Sequence, residues 1–149
     1  MSYKAAKPAV LFVCAKNGGK SQMAAGLLRR AAGESVTVAS AGTTPGVALN
    51  RLSAESLAEI GVDISGEFPK AVTVEAQQAA DVVVVLGAEA QLDELEGTRY
   101  ERWETDEPSS RGIEGLERMR LVRDDIDQRV RVLHRQLMDQ AGESGPVSL

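Results

Sequence analysis

The chain has a single cysteine and a single histidine among its 149 residues, and aromatic side chains make up only 3% of it. One cysteine excludes an intrachain disulfide and any CxxC-type metal site. No stretch reaches the roughly 18 consecutive apolar residues of a membrane-spanning helix. The opening residues, MSYKAAKPAVLFVC, lack the long apolar core and cleavage site of a signal peptide. Nor is there an excess of positive charge. The formal net charge is −5, which gives no electrostatic footprint for nucleic acid or an anionic membrane. Basic character is local, at Lys16 and Lys20. The expectation is a chain of the reducing cytoplasm, with its one thiol kept free and no tightly bound cofactor or metal.

Against this background the run from Val10 to Leu28, VLFVCAKNGGKSQMAAGLL, stands out. A buried strand ends at Cys14. A glycine-containing turn follows, and Lys20-Ser21 opens an amphipathic helix. A helix amino terminus has unpaired N–H groups and partial positive charge, and glycines let successive amides line a concave anion nest. Ala15, Lys16, Asn17, Gly18, Gly19, Lys20 and Ser21 are therefore the candidate oxyanion-binding residues. Cys14 is the candidate nucleophile, because the positive end of a helix favours a thiolate. The spacing falls short of a nucleotide-binding P-loop, which needs Gly where Cys14 stands. Asp81 also precedes the apolar run Val82–Leu86 instead of following it.

Along the chain, Ala9–Val13, Val36–Ser40, Val82–Leu86 and Tyr100–Trp103 read as strands. Lys20–Ala32, Leu49–Ile60, Val72–Ala80, Ala88–Leu95 and the long periodic stretch after Gly112 read as helices. The first helix should stop at Gly33 and turn Met23, Ala24, Leu27 and Leu28 inward. In the last, Ile113, Leu116, Met119, Val122, Ile126, Val130, Leu133 and Leu137 recur at steps of three and four. Its charged residues, Arg118 among them, read as a solvated face, and His134 as a surface or partly packed residue rather than a catalyst. Strands alternating with helices predict a parallel α/β sheet. The expected organisation is one domain over 1–149, with flexible tails at 1–7 and 142–149. Ligands bind beyond the carboxyl ends of parallel strands, so Cys14, the loop Ser40–Gly46 and the loop Thr105–Arg111 should converge. The last loop offers Asp106 and Glu107 as proton donors.

VLFVCAKNGGKSQMA, the SAGT of Ser40–Thr43, GVDISG at Gly61–Gly66, TDEPSSRGIEG and RLVRDDI together resemble the low-molecular-weight protein tyrosine phosphatase superfamily. The likeness spans nearly the whole chain. The Ser-Gln-Met-Ala start of the helix points to the arsenate reductase branch. The resemblance implies an α/β fold with a four-stranded parallel sheet flanked by helices on both faces. It implies Cys14 as nucleophile, Asn17, Gly18 and Gly19 in the anion loop, and Ser21 as the hydroxyl bonded to the thiolate.

Two departures narrow it. The phosphatases have Arg where this chain has Lys20, a point charge in place of a planar fork. The thioredoxin-coupled reductases have two further cysteines that this chain lacks. The loop with DEPS and RGIEG is most similar to the single-cysteine, mycothiol-dependent arsenate reductases. That likeness implies mycothiol or a similar small thiol as co-substrate, and a mycoredoxin as partner. The superfamily places Asp directly before Pro; here Glu107 takes that slot. Asp106 is the favoured acid beside Cys14 and Lys20, with Glu107 the alternative. Two other readings stay open: a phosphatase for phosphotyrosine or small phosphoesters, and a non-catalytic oxyanion-binding module.

Overall fold

Val82–Leu86 has no polar alternation, and all five of its residues are buried. Such a strand requires cover on both faces. In the computed structural model, which describes residues 7–143, it is an inner strand. The strands are β1 (Ala9–Cys14), β2 (Thr37–Gly42), β3 (Val82–Leu86) and β4 (Arg99–Trp103). They pair in parallel in the order β2-β1-β3-β4. The helices are α1 (Lys20–Ala32), α2 (Arg51–Ala58), α3 (Val74–Ala79) and α4 (Gly115–Glu143), with 3-10 turns at Gly33–Ser35 and Pro108–Arg111. Among the described residues no helix is long and apolar enough to cross a membrane. The expected tails lie mostly outside the described residues.

The sheet faces are unequal. Val10, Phe12, Val82, Val84 and Leu86 join Trp103 in a core with α1, α2 and α4; the Phe12 and Trp103 rings lie 5.8 Å apart in a tilted pair. On the other face Leu11, Val13, Val83 and Val85 pack against Ala41, Ala90 and the half-buried Val72, Ala76 and Tyr100. Here the cover is the six-residue α3 and the irregular segment 87–98, not the helix expected at Ala88–Leu95. That segment's polar groups are taken up from β4. The Arg102 guanidinium donates to the carbonyls of Gly87 (2.6 Å) and Ala90 (3.0 Å). The Leu95 N–H donates to the Tyr100 hydroxyl (2.9 Å). A helix there would forfeit these bonds.

Eight consecutive residues of α1, Ser21–Leu28, are buried, twice the inward face expected. The helix is covered by the sheet, α4 and the segment after α2. A Cβ on Gly26 would lie 2.9 Å from Ile64 Cγ2 and 3.1 Å from Val62 Cγ1. The GVDISG motif thus packs on the back of α1. Gly33 ends α1 with a φ of 57°, as read from the sequence. β2 runs two residues further than expected, because its register with β1 continues to the pair Cys14–Gly42. Helix α4 starts three residues later than expected, after Gly112 (φ 81°) and at Gly115 (φ 67°), which turn the chain out of the Pro108 loop. Its stripe Met119, Val122, Ile126, Val130, Leu133 and Leu137 is buried.

This stripe sets a stability test. Ile126 is fully buried and Val132, on the same helix, is 48% exposed. Ile126→Ala should lower unfolding stability by about 2–5 kcal/mol, whereas Val132→Ala should change it by no more than about 0.5 kcal/mol. Urea unfolding of both variants checks this, and equal losses would contradict the packing of α4.

Candidate active site

β1 delivers Cys14 to the carboxyl edge of the sheet, and α1 begins six residues later. The intervening turn closes through Asn17, the one non-glycine described residue with positive φ (54°). Asparagine tolerates this conformation better than most residues, and here it is pinned on every side. Its Nδ2 donates to Ser21 Oγ (2.7 Å). Its Oδ1 accepts from Gln22 Nε2 (3.2 Å) and from the Lys70 N–H (3.0 Å). Its own N–H then points at Cys14 Sγ (3.2 Å). Ser21 Oγ lies 2.9 Å from the same sulfur. Since Ser21 already accepts from Asn17, its proton is free for the sulfur, and toward a thiolate it is necessarily the donor.

The loop's carbonyls are drawn outward. Those of Cys14, Ala15, Lys16 and Gly18 accept from the N–H groups of Thr43 (3.1 Å), Thr44 (2.8 Å), Gly46 (2.9 Å) and Asn50 (2.7 Å). A planar trans peptide held by its carbonyl turns its N–H to the opposite side, and for the Lys16–Asn17 peptide that side is the sulfur. No side chain caps α1 at Gly19, so its first-turn donors are open to an anion. Gly42 allows the close approach: a Cβ there would sit 2.7 Å from the Ala15 carbonyl oxygen and 3.0 Å from Asn17 Cβ. The glycine of SAGT is thus part of the loop's foundation. Behind it, Lys70 Nζ reaches Ser40 Oγ (3.4 Å) and the Phe68 carbonyl (3.2 Å). Burial holds its pKa below the usual lysine value.

The sulfur opens on a cavity of about 590 Å³, lined by Ala15, Lys16, Gly19, Lys20, Leu86, Gly87, Glu107 and Arg118 among others. The two candidate acids part here. Asp106 does not line the cavity. Its carboxylate takes both arms of Arg111 (2.8 and 3.0 Å), and this pairing holds its pKa below the usual range. Glu107, the alternative, is at the mouth. Its Oε1 lies 3.1 Å from Lys20 Nζ, and Arg118 Nη2 donates to both its oxygens (3.2 and 3.0 Å). Partial burial opposes its ionisation, but the bonds from Arg118, Lys20 and Ser109 outweigh it and draw its pKa down to about 2. Arg118 belongs to the cavity wall, not to the solvated face read from α4's charge pattern. Its neighbour Met119 is a core residue, and that adjacency was the only signal in the sequence. A second cavity of about 400 Å³, between β4 and α4, is lined by Trp103, Glu101 and Arg129 and holds no nucleophile.

The family profile described as low molecular weight phosphotyrosine protein phosphatase matches residues 9–143. A putative arsenate reductase of Halobacterium salinarum is 31% identical over 80% of this chain and 85% of its own length. Arsenate reductase 2 of Staphylococcus saprophyticus is 32% identical over 84% of this chain and 95% of its own. Among solved structures, the thioredoxin-dependent arsenate reductase Cg_ArsC1' of Corynebacterium glutamicum superposes with a TM-score of 0.78 at 35% identity. It covers 91% of this chain, which in turn spans only 64% of that longer protein. An arsenate reductase in its phosphate-binding state superposes with a TM-score of 0.75 at 28% identity, over 87% of this chain and 98% of its own. The sulfur-bearing loop, the parallel sheet and these matches agree: the chain belongs to the low molecular weight phosphotyrosine protein phosphatase family, on the branch whose curated members are named arsenate reductases.

Proposed function

We propose that this protein is an arsenate reductase that hands arsenic from Cys14 to a small external thiol. The observation that carries the reading is the cradle of Cys14 Sγ, with donors at 3.2 Å from Asn17 and 2.9 Å from Ser21, at the floor of a cavity walled by Lys20 and Arg118. Arsenate binds to the loop amides with Lys20 beside it. The Cys14 thiolate attacks arsenic, a sulfur–arsenic bond forms, and one As–OH oxygen leaves as water after taking a proton.

Glu107 is the group positioned to give that proton. In the free site two cations keep it ionised. An entering oxyanion competes for both and adds a negative neighbour, and each change raises a carboxyl pKa. The acid is thus loaded when substrate arrives. Reduction from arsenic(V) to arsenic(III) needs two electrons, and the sequence has one cysteine. An external thiolate therefore displaces Cys14 from arsenic. A redoxin thiolate then attacks that thiol's sulfur, a disulfide forms, and the arsenic departs with the electron pair as arsenite. Mycothiol and a mycoredoxin are the proposed pair, on the sequence resemblance, and no tightly bound cofactor is required.

Arsenite production by the purified protein with a panel of thiols and redoxins tests this. Activity should need a small thiol plus its redoxin and vanish in Cys14→Ser. Turnover sustained by thioredoxin alone would replace the small-thiol route. Hydrolysis of p-nitrophenyl phosphate without thiol-dependent arsenite would replace the reductase with a phosphatase.

The acid is tested by two carboxamides. Glu107→Gln should slow the first half-reaction by about 10²–10⁴, while Asp106→Asn, which disturbs only the Arg111 pair, should be mild. Single-turnover rates of Cys14 arsenylation report both, and the reverse ranking would restore Asp106.

Proton linkage gives a further check. Because the Glu107 pKa is about 2 in the free protein and higher with an anion bound, the complex holds more protons. Affinity should therefore rise as pH falls through the bound-state pKa. Sulfate, which does not titrate near neutrality, should bind with proton uptake, seen by calorimetry in buffers of different ionisation enthalpy. Uptake should vanish in Glu107→Gln; uptake unchanged in that variant would assign the proton elsewhere.

A further inference from the structure

Glu107 Oε1 accepts from two cations at once, Lys20 Nζ at 3.1 Å and Arg118 Nη2 at 3.2 Å. That point in the cavity is therefore an anion site, and a side-chain oxygen demonstrates its geometry. Lys20 opens α1 and Arg118 lies in the first turns of α4, so the two charges come from opposite walls and meet on one oxygen. The Arg118 guanidinium is also only partly used. Its Nε is buried and has no acceptor, and a buried donor without a partner is costly. The single positive charge at position 20 is a point charge; the planar fork in this pocket stands on α4 instead.

We infer that Glu107 Oε1 marks the place an oxygen of the bound oxyanion takes, and that Arg118 is an oxyanion-binding residue that clamps it together with Lys20. A tetrahedral dianion carries more charge than one carboxylate, so it displaces Glu107 from both cations. Arg118 then does two things. It holds Glu107 over the cavity until substrate enters, and it supplies the guanidinium that the loop lacks. This deepens the oxyanion-pocket part of the function proposed above and does not depend on arsenate being the substrate.

The experiment measures the sulfate and phosphate concentrations that half-protect Cys14 from alkylation by neutral iodoacetamide. Half-protection is independent of the intrinsic reactivity of the thiol. Arg118→Met, Arg118→Gln and Arg118→Lys are compared with wild type and again in a Glu107→Gln background. The background matters because an Arg118 that only positioned the Glu107 carboxylate would then have no charged partner left to hold. Arg118→Met should raise half-protection about 10- to 150-fold in the Glu107→Gln background, the range for losing a hydrogen bond to a charged group. Arg118→Lys should recover part of the loss, and Glu107→Gln alone should tighten binding by removing the competing negative charge. Should Arg118→Met unfold, which a thermal scan reveals, Arg118→Gln keeps the shape and carries the same expectation. Equal protection of Glu107→Gln with and without Arg118 would overturn the inference while leaving the reductase proposal standing. No protection of wild type by any oxyanion would overturn both.

Discussion

The hold on one sulfur atom organises this molecule. Cys14 Sγ meets the Asn17 N–H and the Ser21 hydroxyl, and both donors depend on Asn17 adopting a left-handed backbone. A single non-glycine residue in that region is strained in isolation. Here its side-chain amide is bonded to Ser21, Gln22 and the backbone of Lys70, so the conformation is over-determined by α1 on one side and the segment before α3 on the other. The outward-drawn carbonyls of the loop extend the same constraint to the residues after β2. Four carbonyls of the loop are held in this way, by the N–H groups of Thr43, Thr44, Gly46 and Asn50.

The second feature is an excess of positive charge that the protein itself occupies. Lys20 and Arg118 face a common cavity and would repel each other without an anion between them. Glu107 fills that role and is held ionised by it. An anion that takes the place of Glu107 between these cations removes the bonds that hold its carboxyl pKa low.

The unequal faces of the sheet follow from the same geometry. The large helices α1, α2 and α4 lie together, and two of them bring the amino terminus of α1 and Arg118 to one cavity. The opposite face is covered by little more than α3 and an irregular segment stitched to β4 by Arg102 and Tyr100. The first residues of that segment, Gly87 and Ala88, form the wall across from Lys20. Gly87 is held by β4, its carbonyl accepting from the Arg102 guanidinium and its N–H donating to the Trp103 carbonyl, while the Ala88 carbonyl accepts from Gln91 Nε2.

Local pattern by itself determined the inner strands, the extent of α1, the α4 stripe and the sulfur-bearing loop. In each the signal is short-range: an unbroken apolar run, a 3.6-residue period, or a cysteine spaced from a glycine turn and a helix start. Tertiary structure decided what depends on contacts distant in sequence. Ala88–Leu95 has helical composition, yet the Ala90 carbonyl, like that of Gly87 just before the stretch, is claimed by the Arg102 guanidinium of β4. Asp106 and Glu107 are adjacent carboxylates, indistinguishable by composition; Arg111 draws one out and Lys20 and Arg118 draw the other in. Arg118 itself reads as solvated because helical periodicity reports which way a side chain points, not what stands opposite. Only the folding of α4 back against the amino end of α1 makes it part of an anion site.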